Sequence, residues 1–183
     1  TIADAEATGL LAWTPWRAAL VRELVVKIQH VLERGDVGPG TAERLSARAE
    51  AIRAALGREA PDVVERFLLR MPRGYVLSVP LERVASHVRL VATPVGAHEV
   101  RTHASEGTRE ATYNLAVVAT DRPGLLSMIA GALSLAGLSV LTAQVFTTDD
   151  GVAVDLFEIE GAFETDVGEE RWREFRTTLR KAI

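Results

Sequence analysis

The 183-residue chain is 48% hydrophobic and 25% charged, which is the composition of an ordinary globular protein large enough to bury a core. Its formal net charge of −4 opposes binding to nucleic acid and to anionic membranes, so we expect neither as a partner. The absence of cysteine excludes disulfides, thiolate metal sites and cysteine nucleophiles.

The sequence carries no visible targeting or membrane-spanning segment. No apolar run approaches the ~20 residues that a helix needs to cross a bilayer. The first residues also lack the basic and then apolar pattern of a signal peptide, and we expect a cytoplasmic protein. The chain begins at Thr1 and stops at Ile183 within a helical pattern, which leads us to expect that it is part of a longer protein.

Residues 1–94 show the apolar spacing of helices. Thr14-Pro15 can begin the first helix, because threonine caps a helix and proline is tolerated in its first turn. Further helices are predicted over 41–56, from Pro61 to a break at Met71–Gly74, and from Pro80 to about Leu90.

The apolar period changes from 3.6 to 2 at 94–96, where we place a domain boundary, so that 95–183 form a second domain. Residues 97–104 are predicted to form a strand and 105–109 a loop rich in turn-forming residues. Residues 113–120 are almost all apolar, which is typical of a strand in the middle of a sheet.

The remaining elements are a helix at 125–136, strands at 138–148 and 152–160 joined by an Asp-Gly hairpin, and a last helix after 166–170. This order predicts an α+β fold: a ferredoxin-like antiparallel sheet with two helices on one face, lacking its last strand. We predict that 97–104 pairs antiparallel with 113–120, since the central strand would otherwise expose an unpaired edge.

The segment Thr120-Asp-Arg-Pro-Gly-Leu-Leu126 is the best candidate for a binding site. Gly124 permits a tight turn and leaves the first N–H groups of the next helix open. Those groups carry partial positive charge and can hold a carboxylate. A turn without any ligand explains the same residues equally well.

A strand is followed by this turn, then by the run Ile129-Ala-Gly-Ala-Leu133, and then by a second strand that starts with Gly-Leu. With this order of segments, residues from about 113 to 183 resemble the ACT domain family. The resemblance implies an amino-acid ligand near the turn. One wall of the implied site is formed by Asp121, Arg122, Pro123, Gly124, Leu125 and Leu126. The other wall lies in the second strand of the module and is formed by Leu141, Thr142, Ala143 and Gln144.

Three segments carry a closer resemblance: Ala7-Thr-Gly9, Trp13-Thr-Pro-Trp-Arg17 and Arg70-Met-Pro-Arg-Gly-Tyr75. They are similar to the C-terminal part of the bacterial enzymes that add uridylyl groups to the nitrogen-regulatory PII protein and remove them. The resemblance implies that 1–94 are the tail of an HD-type hydrolase domain with a connector and that 95–183 are an ACT domain. It also implies glutamine as ligand, PII as partner of the full-length enzyme, and a second ACT unit or a homodimer partner.

The catalytic motifs of the resembled nucleotidyltransferase are missing. The chain has no Gly-Ser followed by paired aspartates and no His-Asp dipeptide, so we assign no catalytic residue. The Mg²⁺ that the resemblance implies belongs to the absent catalytic domains. The four histidines lack the spacing of metal ligands, and we expect no metal site in this chain.

Two other functions stay open, as does uridylyl versus adenylyl transfer by the parent enzyme. The ACT-like unit could be an assembly module without a ligand, or it could regulate a different metabolic enzyme, such as an amino-acid biosynthetic enzyme or an alarmone synthetase. Asp155 is an acidic residue that interrupts an apolar strand. We expect its side chain to point to solvent rather than toward a ligand.

Overall fold

The computed structural model describes residues 40–57, 59–161 and 167–183. The helix predicted to begin at Thr14-Pro15 lies outside these ranges, and so do Trp13 and Trp16. Residues Thr1–Ala42 and Glu43–Ile183 form two compact units, and only Gly40–Ala42 of the first are described. The account below concerns the second unit.

The helical part of this unit contains four helices among the described residues. They are α1 (Thr41–Ala55), α2 (Pro61–Arg70), α3 (Arg73–Ser78) and α4 (Leu81–Val91). Helices α1, α2 and α4 match the predicted elements. Helix α3 was missed: the break predicted at Met71–Gly74 is limited to Met71 and Pro72, and the helix resumes because proline is well tolerated at a helix start.

The remaining elements are β1 (Val100–Glu106), β2 (Thr112–Thr120), α5 (Leu125–Leu135), β3 (Leu138–Thr147), β4 (Val152–Gly161) and α6 (Glu169–Ala182). The sheet has the order β1-β2-β4-β3, and every neighbouring pair is antiparallel. The predicted α+β, ferredoxin-like fold is therefore confirmed.

Strand β1 pairs antiparallel with β2 from Val100 opposite Ala119 to Glu106 opposite Tyr113. The predicted pairing of the strand before the module is thus confirmed. The predicted loop at 105–109 begins two residues too early, because Ser105 and Glu106 are paired with Asn114 and Tyr113 and belong to β1.

Helices cover both faces of the two central strands, β2 and β4. On one face, Ala116, Val118, Val154 and Leu156 join a buried cluster with α1–α4, in which Tyr75 is completely buried. On the other face, alternate residues of β2 and β4 pack against α5 and α6. A strand with two covered faces has no solvent side, so every side chain of β4 from Val152 to Phe157 is buried.

The helices from Glu43 onward and the sheet lie in the same compact unit, and the domain boundary near 94–96 stays a prediction. Within the segment that joins α4 to β1, the side chain of Arg101 in β1 donates hydrogen bonds to the main-chain carbonyls of Leu90, Thr93 and Pro94 at 2.7, 2.9 and 2.7 Å. One side chain thereby holds the segment between α4 and β1 to the start of the sheet.

Candidate functional site

The turn between β2 and α5 begins at Asp121, whose amide donates to the carbonyl of Gly151 in the neighbouring hairpin at 2.9 Å. Gly124 is the residue before the helix and has φ +83°, a left-handed conformation that suits glycine. The sharp reversal therefore depends on the glycine that the sequence placed there.

The N-terminus of α5 has no side-chain cap. The Leu125 amide donates to the carbonyl of Arg122 at 3.2 Å, whereas the amides of Leu126 and Ser127 have no main-chain acceptor among the described residues. Both residues are exposed, and a Cβ atom placed on Gly124 would meet no atom within 4 Å. The helix start therefore presents open amides at an accessible corner, where an anionic group can bind.

The side chains of the turn divide into supporting and exposed ones. Leu125 is buried in the core under α5, whereas Leu126 is 45% exposed. The guanidinium of Arg122 donates to the carbonyls of Ala97 at 2.6 Å and Ile183 at 3.1 Å. Arg122 therefore ties the turn to the segment before β1 and to the end of α6. Asp121 and Pro123 are exposed.

The resemblance implied a second wall formed by four residues of β3. Only one of these four residues lies on the face of the sheet against which α5 packs. Ala143 lies opposite Phe157 on the α5 side. Thr142 and Gln144 lie opposite Glu158 and Leu156, whose side of the sheet is covered by α1–α4. Leu141 falls at an irregularity in the pairing of β3.

Two residues that the sequence analysis did not assign to the site lie beside the turn. The hydroxyl of Thr147 in β3 donates to Oδ2 of Asp121 at 3.0 Å. Asp155 in β4 lies opposite Val145 and Val117, on the same face as Thr147, and it is only 1% exposed. The turn, the end of β3 and the middle of β4 therefore form one polar corner under the start of α5.

The prediction that Asp155 points to solvent is wrong, because both faces of the sheet are covered. Its Oδ1 atom is buried and has no hydrogen-bond partner among the described residues. Burial, and then the negative charge of Asp121, raise the pKa of Asp155 to about 6. Asp155 is two residues from Ala153 and from Phe157, which face the core under α5 and α6, and this period of two was the signal that could have placed it.

The described residues offer no metal centre: they contain no group of three His, Asp or Glu side chains placed to hold an ion. They do not fit the Mg²⁺ implied for the catalytic domains. Nor does any helix of these ranges have the length and hydropathy to cross a membrane.

Comparison with known proteins agrees with this fold. Residues 113–176 match the family model described as ACT domain. This region is an ACT domain. Strand β1 precedes the matched residues and supplies the ACT domain with an added strand at the edge of β2.

Similarity to curated proteins extends beyond the ACT domain to most of the chain. The chain is 33% identical, over 93% of its length, to the bifunctional uridylyltransferase/uridylyl-removing enzyme of Rhodopseudomonas palustris and covers 18% of that protein. The corresponding enzyme of Nitrobacter winogradskyi is 31% identical over 93% of the chain, with 19% of the enzyme covered. That of Azospirillum brasilense is 33% identical over 90%, with 18% covered. The chain thus spans less than a fifth of the length of these relatives.

Proposed function

We propose that this chain is a regulatory region of a cytoplasmic PII-modifying nucleotidyltransferase and that its ACT domain senses glutamine or a similar amino acid. The observation that supports the proposal most directly is the uncapped start of α5, with open amides at Leu126 and Ser127 beside Gly124. The similarity to uridylyltransferase/uridylyl-removing enzymes over most of the chain supports the choice of parent enzyme.

In this proposal the ligand's α-carboxylate binds the open amides, because a helix start offers both donors and a favourable dipole to an anion. The ligand acts by population shift: it binds one arrangement of the enzyme more tightly and increases its share. A coupling free energy of roughly 1–3 kcal/mol between sensor and catalytic domains would be sufficient. The catalytic domains, with their Mg²⁺ and their PII substrate, belong to the parent enzyme.

Isothermal titration calorimetry with glutamine, glutamate and serine tests the sensing function, on this chain and on the full-length enzyme. We expect glutamine to bind and to raise the melting temperature at saturation, since a ligand of the folded state stabilises it. If the full-length enzyme binds none of the twenty amino acids, the sensor proposal is wrong.

A second candidate function is assembly, which the exposed surface of β3 supports. Val140, Leu141 and Val145 are 42%, 36% and 52% exposed on a strand that pairs only with β4 in the described sheet. Such an edge can accept a strand from a second ACT unit or from a second copy of the chain. Sedimentation equilibrium distinguishes the two functions: a pure assembly module forms dimers with the same affinity with and without glutamine.

A further inference from the structure

Asp155 is a buried acid without a counter-charge in its surroundings. Its two neighbouring strands, β2 and β3, contain no lysine or arginine, and neither does α5, which covers this face together with α6. No positive charge among the described residues, those of α6 included, lowers its pKa. Its cross-strand neighbours are Val117 and Val145, and its Oδ1 atom accepts no hydrogen bond from the described residues. The nearby acidic group is Asp121, which repels it.

This arrangement is unfavourable for an ionised carboxylate. Buried carboxylates are normally paired with a cation or satisfied by several hydrogen bonds, because burial removes the water that stabilises their charge. Here the protein supplies neither to Oδ1. A cation that satisfies Asp155 must therefore come from outside these elements.

Asp155 lies close enough to the turn to contact the same small ligand. Thr147, which bonds Asp121, is two residues along β3 from Val145, the direct partner of Asp155. Diagonal neighbours of this kind lie ~7–8 Å apart. Val145 is half exposed, so the carboxylate lies just below an accessible surface.

We propose that Asp155 binds the α-ammonium group of the ligand whose carboxylate binds the start of α5. This inference rests on the proposed function and specifies its ligand class: a zwitterionic α-amino acid is held at both ends, by amides at its anion and by Asp155 at its cation. Asp121 adds negative charge beside the ammonium site. A ligand that lacks the amino group has no partner for Asp155.

The test is a calorimetric cycle with two proteins and two ligands. The proteins are the wild type and Asp155→Asn, and the ligands are glutamine and glutaramic acid, which is glutamine without its amino group. We expect wild type to bind glutamine at least 30-fold more tightly than glutaramic acid, and Asp155→Asn to bind the two within about threefold of each other. Asp149→Asn, at the exposed hairpin tip, is the matched control and should bind glutamine as wild type does.

The outcomes separate this inference from the proposed function. If wild type binds glutamine and Asp155→Asn binds it equally well, the role of Asp155 is refuted while the sensor remains. Equal affinity of wild type for the two ligands refutes it as well, without requiring that the variant fold. If wild type binds no amino acid, both proposals fail together.

Discussion

Asp155 and His87 are buried titratable residues on opposite sides of the sheet, and their pKa values are shifted in opposite directions. That of Asp155 is raised to about 6. Burial first, and then the positive charges of Arg83 and His103, lower the pKa of His87 to about 4. The Nδ1 atom of His87 is 2.7 Å from the hydroxyl of Tyr75, whose own pKa is raised by burial. The hydroxyl therefore stays protonated and shares a hydrogen bond with a neutral imidazole.

These shifts give opposite dependences of stability on pH. Asp155 is easier to protonate in the folded than in the unfolded protein, so its unfavourable contribution is complete above about pH 6 and disappears as the pH falls toward 4. His87 is harder to protonate when folded, so stability that is complete above its unfolded pKa of 6.5 is lost as the pH falls toward 4. In the wild type the two effects offset each other.

Asp155→Asn separates the two, because the variant retains only the His87 effect. Between pH 7 and pH 4 the wild type should gain about 2–3 kcal/mol of unfolding free energy relative to Asp155→Asn, from a pKa shift of about two units. Urea unfolding at pH 7, 5.5 and 4 measures this difference. A difference that does not change with pH would show that Asp155 is not held in a desolvated site.

Gly124 offers a prediction with a control in the same region. Gly124→Ala should lower the unfolding free energy by about 1–2 kcal/mol, because alanine is strained at φ +83° although there is room for its Cβ atom. Gly131→Ala, within α5 and equally uncrowded, should raise it by about 0.5–1 kcal/mol, because alanine favours helix. Denaturant titration of both variants decides; a similar change in both would mean that the turn does not require glycine.

At the level of elements, the sequence predicted the strands and helices of the ACT domain because each has a clear apolar period and a glycine or proline boundary. It also predicted the edge position of β1, since an apolar β2 needs a partner on each side. The inward position of Asp155 was missed. Its strand has apolar residues on both faces, so the period of two places Asp155 beside Ala153 and Phe157 without showing that this face is buried. The link from Thr147 to Asp121 joins residues 26 apart, which no local pattern reveals.

The connection between α4 and β1 supplies the prediction at this level. Arg101→Met should lower the unfolding free energy by about 2 kcal/mol, because the variant leaves three main-chain carbonyls without the charged donor that binds them. Arg89→Met, which removes a surface ion pair with Glu59, should cost less than about 0.5 kcal/mol. Equal effects in chemical denaturation would mean that Arg101 does not hold the connection.

At the level of the whole molecule, the core under α1–α4 is shared between helices and sheet. Tyr75 makes edge-on ring contacts with Phe67 of α2, His87 of α4 and Phe146 of β3, at centroid distances of 5.4, 5.9 and 5.3 Å. A cluster built from both parts couples their stability. The helices and the sheet should therefore unfold in one cooperative transition.

Tyr75→Ala tests this coupling from the opposite side of the sheet. The substitution should cost about 3–5 kcal/mol by leaving a cavity in a closed core. Trp172 of α6 reports on the other face, in a protein whose Trp13 and Trp16 have been replaced by phenylalanine. We expect its fluorescence midpoint in urea to fall together with the helical circular dichroism signal. An unchanged Trp172 midpoint would indicate that the helices and the ACT domain unfold independently.

Because helices occupy both faces of the sheet, further strands can join it only at its two outer rims. The rims differ in character: β3 offers exposed valine and leucine, whereas β1 offers exposed His103 and Ser105. Two copies joined β3 to β3 about a twofold axis would pair both β3 edges, set their exposed valines side by side and leave the polar β1 edges outside, so growth would stop at two. Joining β3 of one copy to β1 of the next would instead leave one unpaired β3 edge at the end of the assembly, where a further copy can add.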